Sequence, residues 1–350
     1  MPTLHLTNGD AAAARLRAAE LSGDVVPWRD VLHDGPVPPD EDERGFRDTR
    51  AEFLASRGWT SVTAAAASMA HRDQRLAATT GTDEVVLWFE PDLYDQLQLA
   101  QLLARIARRP LLARPAVSIV PADCFLGEVL PNRVSMLHTA RRSLTRRDLD
   151  QGLSAWGAFT ASTPDALAAM ADRLDEEVVA RTYSGDTMVR LPHLAAALRR
   201  LLEEYPGEED GLSRTERQLC EVLAGGATTP AHLFEGCQLA ESWRWLGDWS
   251  FAWYLERLSA GAEPLVSRGN GTRVIAPLPD TDGRAFWEQR VQLTPFGARV
   301  LSGRGDAVAA NGLDRWIGAV HCTTERHWRW DPHRGRVVPW TGGRRAAVGD

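Results

Sequence analysis

Short apolar runs alternate with amphipathic stretches over about the first 125 residues of the chain. The runs in TLHLTNG, GDVVPW, DEVVLWFE and AVSIVPA have strand length, and the third is apolar almost throughout, as in a strand covered on both faces. Apolar residues at helical spacing predict helices after the first strand, over 43–57 and 60–78, and from residue 92 onward. This alternation predicts an α/β fold with a Rossmann-like, mostly parallel sheet.

Beyond residue 130 the pattern becomes helical, and it changes again near residue 203. The segment EEYPGEEDG (203–211) carries five carboxylates, a proline and two glycines, which makes it the best linker candidate. Three helical segments then precede a strand, a Gly-rich wing, a second strand and a helix, the order typical of a winged-helix domain. We predict four parts: a Rossmann-like α/β domain (1–130), a helical region (131–205), a winged-helix-like domain (206–302) and a Trp/His-rich C-terminal segment (303–350).

Composition and charge narrow the class of protein. The 350 residues are 44% hydrophobic, with no apolar run near the roughly 18–20 residues of a membrane helix. The start lacks the regions of a secretory signal, and the four cysteines show no paired spacing, so we predict a cytoplasmic protein without a membrane partner. A net charge of −7 argues against general nucleic-acid binding. All 40 basic residues are arginine, which excludes Schiff-base and P-loop lysine chemistry.

Polar residues crowd the predicted carboxyl ends of three strands, the edge at which open α/β sheets bind ligands. Turn and capping chemistry can explain any one of these groups. Three groups on one edge favour a functional cleft. The residues that we assign to ligand binding are Asn8, Gly9, Asp10, Trp28, Arg29, Asp92 and Gln96, and the catalytic candidates are Glu90, His33 and Asp30.

Residue type suggests a role for most of these positions. Asp10 and Asp92, each expected at a helix N-cap, suit ligand hydroxyl or amino groups better than phosphate. Arg29 suits an anionic group, and Trp28 is expected to stack on the ligand. Glu90 and His33 are the acid–base candidates, the latter because it lies between Asp30 and Asp34 in sequence; a surface turn histidine is the alternative.

Cofactor and metal motifs are weak. The segment NGDAAA lacks the later glycines of the dinucleotide fingerprint, so the cofactor stays unknown. The C-terminal histidines and Cys322 have irregular spacing, and we predict no metal site. The predicted recognition helix, DWSFAWYLERL, carries a single arginine, which disfavours DNA as a partner. Nine of the 13 tryptophans lie from Trp243 onward, in a core or in an interface with a protein partner.

At HLTNGD, VVPWRDVLHDGPV and EVVLWFEPDLYDQLQL the chain resembles a bacterial family known as domain of unknown function 1835. The resemblance covers roughly the first 130 residues, and the later LTPFGARVLSGRGD and NGLDRWIGAVHC look like the C-terminal half that accompanies it. The family lends no established activity, so the resemblance supports the location of the site alone. Relatives often carry His where this chain has Pro91, so a mechanism that needs that imidazole does not transfer. The resemblance implies motif positions at Asn8, Gly9, Asp10, Trp28, Arg29, Gly35, Pro36, Glu90, Asp92 and Gln96.

Together these patterns predict a protein that binds a small polar metabolite at the sheet rim, a nucleotide or nucleoside being one candidate. Hydrolysis or group transfer is the expected class of reaction. The alternatives are a ligand-sensing transcriptional regulator with a winged-helix DNA-binding domain and a non-catalytic scaffold. Fold alone does not decide among them.

Overall fold

A five-stranded sheet lies at the centre of the first part of the protein. The computed structural model describes residues 2–40, 42–183, 191–279 and 281–341, and the chain divides into two compact units, Met1–Arg199 and Arg200–Asp350. The strands of the first unit are β1 (Thr3–Thr7), β2 (Asp24–Pro27), β3 (Glu84–Trp88), β4 (Ala116–Ile119) and β5 (Arg142–Ser143). Their order is β2-β1-β3-β4-β5, with β5 antiparallel to β4 and the other pairs parallel. The predicted α/β class with a mostly parallel sheet is confirmed.

The helices of the first unit follow the predicted pattern. They are α1 (Asp10–Ala18), α2 (Glu43–Ser56), α3 (Val62–Ala77), α4 (Leu93–Ala107), α5 (Pro131–Thr139), α6 (Arg146–Phe159) and α7 (Asp165–Tyr183), and the boundary between the units falls within α8 (Leu194–Leu202). Apart from Tyr94, every residue of α4 is buried, so this helix forms the centre of the core beside the sheet. In the described part of the chain, no helix combines the length and the apolar character needed to cross a membrane.

In the second unit three helices are followed by two antiparallel strands, as predicted, but a short helix that the sequence pattern did not predict lies between the strands. The elements are α9 (Arg214–Ala224), α10 (Pro230–Leu239), α11 (Asp248–Leu258), β6 (Val266–Arg268), α12 (Arg284–Glu288), β7 (Val291–Leu293) and α13 (Pro295–Leu301). Ser213 and Glu216 form the predicted capping box of α9. After α14 (Ala307–Asn311) the chain forms two antiparallel hairpins, β8 (Asp314–Ile317) with β9 (Val320–Thr323) and β10 (Trp328–Asp331) with β11 (Arg336–Pro339).

The predicted linker at 203–211 is wrong, because this segment is packed inside the second unit. Glu204 is fully buried and pairs with Arg200 at 2.8 Å and with Arg315 at 2.7 Å. Although burial opposes ionisation, the two guanidinium groups hold the pKa of Glu204 well below its usual range. Glu208 extends the packing by donating its backbone N–H to the carbonyl of Trp330 at 2.9 Å. Two of the five carboxylates that suggested solvent exposure, those of Glu204 and Asp210, are buried and paired with arginine.

Helices α4 and α6 approach each other closely at Gly152. A Cβ on Gly152 would overlap the side chain of Leu103, so we expect Gly152→Ala to destabilise the first unit by about 1–3 kcal/mol. Gly157 on the same helix is exposed and has no atom within 4 Å of its Cβ position, so Gly157→Ala is the matched control. Alanine favours helix, and this control should gain up to about 1 kcal/mol. Urea unfolding measures both, and equal effects would contradict the close packing of α6 on α4.

Candidate functional site

Hydrogen bonds tie the end of β1 to the start of α4. Asn8 donates its side-chain N–H to Asp95 Oδ1 at 2.7 Å, and the backbone N–H of Glu90 donates to Asp95 Oδ2 at 2.6 Å. Asp92 is the N-cap of α4, as predicted, and accepts from the backbone N–H of Asp95 at 2.9 Å. Gln96 donates its side-chain N–H to the carbonyl of Glu90 at 2.7 Å. The structure thus brings together four of the predicted site residues around Asp95.

Three carboxyl groups meet in this arrangement and are shielded from water. Glu90 is 5% exposed, Asp92 6% and Asp95 0%. We call these three residues the carboxyl cluster. Among the residues that the structure describes, none of the three forms an ion pair. Burying an ionised carboxylate without a cation costs several kcal/mol, so a group in this position keeps its proton to higher pH.

The pKa values of the carboxyl cluster follow from this burial. Burial raises the pKa of Glu90 to about 7, although hydrogen bonds from the Leu126 backbone N–H and the Asn8 side chain favour the charged form. Burial, with the negative charge of Glu90 as a further cause, raises the pKa of Asp92 to about 8. Burial, with the negative charges of Asp92 and Glu90 as further causes, raises the pKa of Asp95 well above its usual range. At neutral pH the cluster therefore holds protons that it can donate.

Two further polar oxygens are buried at the end of β1 and on the first turn of α4. Thr7 Oγ1, at the last residue of β1, and Gln96 Oε1, on the first turn of α4, are buried without a hydrogen-bond partner. Each unsatisfied buried polar atom costs about 1–3 kcal/mol. Gly9, next to Asn8, has no atom within 4 Å of its Cβ position, so open space adjoins the backbone at the start of α1. The strand ends thus combine acceptor and donor groups with an accessible backbone.

Asp10 does not cap α1, which corrects the sequence prediction. Gly9 is the N-cap residue, with extended backbone angles and no side-chain hydrogen bond to the first turn. Asp10 instead forms an ion pair with Arg29 on the surface, where Arg29 Nε donates at 2.8 Å and the same guanidinium reaches Ser68 at 3.2 Å. Hydrogen bonding to Arg29 lowers the pKa of Asp10. The two residues predicted to bind a ligand separately neutralise each other.

Trp28 lies in the core, which corrects its predicted role in stacking on a ligand. The side chain is 0% exposed, its indole N–H donates to Gln101 at 2.9 Å, and the guanidinium of Arg72 lies 4.4 Å from its ring centroid. The aromatic ring and the polar N–H, which together suggested a ligand contact, both contact other side chains inside the protein. Trp28 therefore anchors the start of the loop after β2.

Asp30 is also part of the interior. Its carboxylate is buried and accepts two hydrogen bonds from Arg50, at 2.8 and 3.1 Å, while Arg72 lies 3.7 Å away. Arg50 further donates to the carbonyls of Val31 and Asp34, at 2.7 and 2.8 Å. This arrangement holds the loop after β2 in shape and leaves Asp30 a poor candidate for proton transfer.

His33 is buried rather than placed on a surface turn. It is 2% exposed, and its Nε2 lies 3.2 Å from the Asp34 carboxylate. Its ring packs edge-on against Tyr94 of α4, with centroids 5.8 Å apart. The loop after β2 and the start of α4 therefore meet at this histidine, beside the N-terminal turn that carries Asp92 and Asp95.

The predicted site residues did not include Asp95, although it lies in the polar group at the end of the third strand, and they did not include the buried arginines. Asp95 follows Asp92 at the i+3 spacing of a capping box, the signal that could have identified it. Arg50 stands between Phe46 and Phe53 on the apolar face of α2, so its helical position could have indicated a buried guanidinium. Neither signal gives the partner from outside the local segment, because Asn8 lies 87 positions from Asp95 and Asp30 lies 20 positions from Arg50.

No model of a protein family matches the chain, and no curated protein matches it. The resemblance to domain of unknown function 1835 therefore stays a prediction. Within the described ranges, no group of three or more His, Cys, Asp or Glu side chains is placed to hold a metal ion.

The raised pKa of Glu90 predicts that stability falls as pH rises. The folded protein keeps this proton up to about pH 7, whereas an unfolded glutamate loses it near about pH 4.3. Between these values the folded state binds more protons, so this contribution to stability is present below about pH 4 and is lost as pH approaches 7. Gln copies the protonated carboxyl group, with one acceptor and one donor. We expect the advantage of Glu90→Gln over the wild type to grow by about 1–3 kcal/mol between pH 5 and pH 8.

Urea unfolding at the two pH values measures this difference. Glu52→Gln, on the exposed side of α2, is the control for the loss of one negative charge and should show no such growth. A Glu90→Gln advantage that is equal at pH 5 and pH 8 would show that Glu90 is ionised in the folded protein throughout this range.

Proposed function

We propose that the first unit binds a small polar ligand at the carboxyl ends of β1 and β3 and that Glu90 exchanges a proton with it. The observation that carries this proposal is the carboxyl cluster, because the fold buries three acids together and none of them pairs with an arginine or histidine among the described residues. Other buried acids of the same chain, among them Asp30 and Glu204, pair with arginine. Sites where buried acids lack such a partner, at a cost in stability, are characteristic of function.

Glu90 is the strongest acid–base candidate. A pKa of about 7 is close to the value at which a general acid or base works best at neutral pH. Its carboxyl group is held by the Leu126 backbone N–H at 2.9 Å, which fixes its position at the end of β3. We assign Asn8 and Asp92 to contacts with ligand hydroxyl or amino groups, and Gly9 to the approach of the ligand along the open backbone. Hydrolysis or group transfer remains the reaction class that we favour.

Two features refine the earlier ligand hypothesis. Arg29 meets an anionic ligand group only by sharing or giving up its pair with Asp10. Trp28 and Asp30 support the site from within the core instead of contacting the ligand. A nucleoside, with several hydroxyl groups and no required phosphate, fits these constraints better than a nucleotide.

We also propose that the protein is cytoplasmic and that its mostly parallel sheet is of the Rossmann-like type.

A transcriptional regulator is the alternative, because three helices followed by two antiparallel strands are similar in order to a winged helix. The charges of that region oppose the idea. Arg257 of α11 donates to Glu216 at 2.8 Å, and Arg273 donates to Glu256 at 3.1 Å. DNA therefore stays a disfavoured partner, and only binding that weakens steeply with salt would revive it. A scaffold that offers the C-terminal tryptophans to a protein partner is the third proposal.

A thermal-shift screen of nucleosides, nucleotides and sugars tests the proposed site. A ligand at about a hundred times its dissociation constant should stabilise the protein by about 2.7 kcal/mol. We expect Glu90→Ala and Asn8→Ala to abolish the shift, because each removes a polar group that contacts the ligand, and the exposed Glu52→Ala to retain it. Because protonated acids donate to the ligand, binding should be tighter at pH 6 than at pH 9. If no compound shifts the melting temperature, or if the shift survives Glu90→Ala, the proposed site is wrong.

A further inference from the structure

A second candidate site lies at the other end of the sheet from the carboxyl cluster. A cleft of about 510 Å³ follows the outer side of β2, the edge strand, and reaches its first residue. Its lining includes Arg17, Asp24, Val25, His71 and Arg75. Ligand sites typically occupy about 300–1,000 Å³, so a small molecule fits this space.

Two arginines from different helices face the cleft. Arg17, near the end of α1, donates one N–H to the carbonyl of Val25 at 2.9 Å. Arg75, near the end of α3, pairs with Asp24 at the start of β2. Each guanidinium group has five N–H donors, so these bonds orient the two side chains and use only part of their capacity. The edge strand thus holds both guanidinium groups beside the same space.

The backbone of β2 adds a further donor. Trp28 donates its N–H to Thr7 of β1, and backbone groups alternate in direction along a strand. Val25 therefore turns its N–H and carbonyl away from β1, and its bond from Arg17 agrees with this direction. The free edge of β2 presents the Val25 N–H on the side of the cleft.

The charge of the cleft is opposite to that of the protein. Two arginines and the exposed His71 face a single carboxylate, Asp24, in a chain whose net charge is −7. Arginine is the preferred partner of phosphate, since its planar fork binds two oxygens at once. Two such forks, an imidazole and a backbone N–H suit a doubly charged group with several acceptor oxygens better than a single carboxylate.

We propose that the cleft along β2 binds the phosphate group of a small phosphate monoester, with Arg17 and Arg75 as its main ligands. Asp24 competes with the phosphate for Arg75. The site is independent of the carboxyl cluster, because its residues lie at the beginning of β2 and at the ends of α1 and α3, whereas the cluster lies at the carboxyl ends of β1 and β3.

Isothermal titration calorimetry on the full chain at low salt tests the proposal. The probes are ribose 5-phosphate, inorganic phosphate and, as the uncharged control, ribose. We expect the two phosphate compounds to bind and ribose to give no heat. Arg17→Gln and Arg75→Gln should each weaken ribose 5-phosphate binding at least about tenfold, the loss expected for one charge-assisted hydrogen bond. Asp24→Asn should tighten it, because it releases Arg75.

Arg15→Gln is the matched control, since Arg15 lies on the same helix as Arg17 but donates to the carbonyl of Gly127 at 2.9 Å, outside the cleft. This variant should bind ribose 5-phosphate as the wild type does. The substituted side chains are on the surface, and circular dichroism verifies that each variant is folded. Absence of binding by both phosphate compounds would overturn the proposal. Binding that is unchanged in both Arg17→Gln and Arg75→Gln would overturn it as well.

Discussion

A buried carboxyl group must either meet a cation or keep its proton, and the interior of this protein is arranged around that constraint. Asp30 meets Arg50 at 2.8 Å in the first unit, and Glu204 meets Arg315 at 2.7 Å in the second. Glu90, Asp92 and Asp95 are equally enclosed, but within the part of the chain that the structure describes they accept hydrogen bonds from backbone N–H groups and from Asn8 and form no ion pair. The arginine pairs stabilise the fold, whereas the carboxyl cluster keeps its protons at the edge where α/β sheets bind ligands.

The fold places the carboxyl cluster through a few local choices. Parallel pairing of β1 with β3 brings their carboxyl ends side by side, so that Asn8 reaches Asp95. Asp92 begins α4 at the end of β3 and turns the chain into a helix that is buried almost throughout. The loop after β2 is fixed in place by the hydrogen bond of Trp28 to Gln101 and by the ion pair of Asp30 with Arg50. Side chains that the sequence suggested for contact with a ligand thus form the support of the site.

Local patterns predicted the elements well and the partners poorly. Apolar runs and helical spacing located β1, β3 and α4, because burial and periodicity are properties of a short segment. The Asp92 cap was predicted because capping is also local. Asp10 forms an ion pair instead of a cap because of Arg29, 19 positions away. The burial of Trp28 depends on helices that follow it in the chain. Such pairings arise from the tertiary fold and leave no periodic signal.

Carbon-13 NMR of the side-chain carboxyl groups, recorded from pH 4 to pH 9, tests the central claim most directly. Glu90→Gln and Asp92→Asn identify the two resonances. We predict that Glu90 titrates near pH 7 and Asp92 near pH 8, well above the about 4 of carboxyl groups in model peptides. Titration of all three members of the cluster below about pH 5 would contradict the account, since the strand ends would then hold ordinary carboxylates.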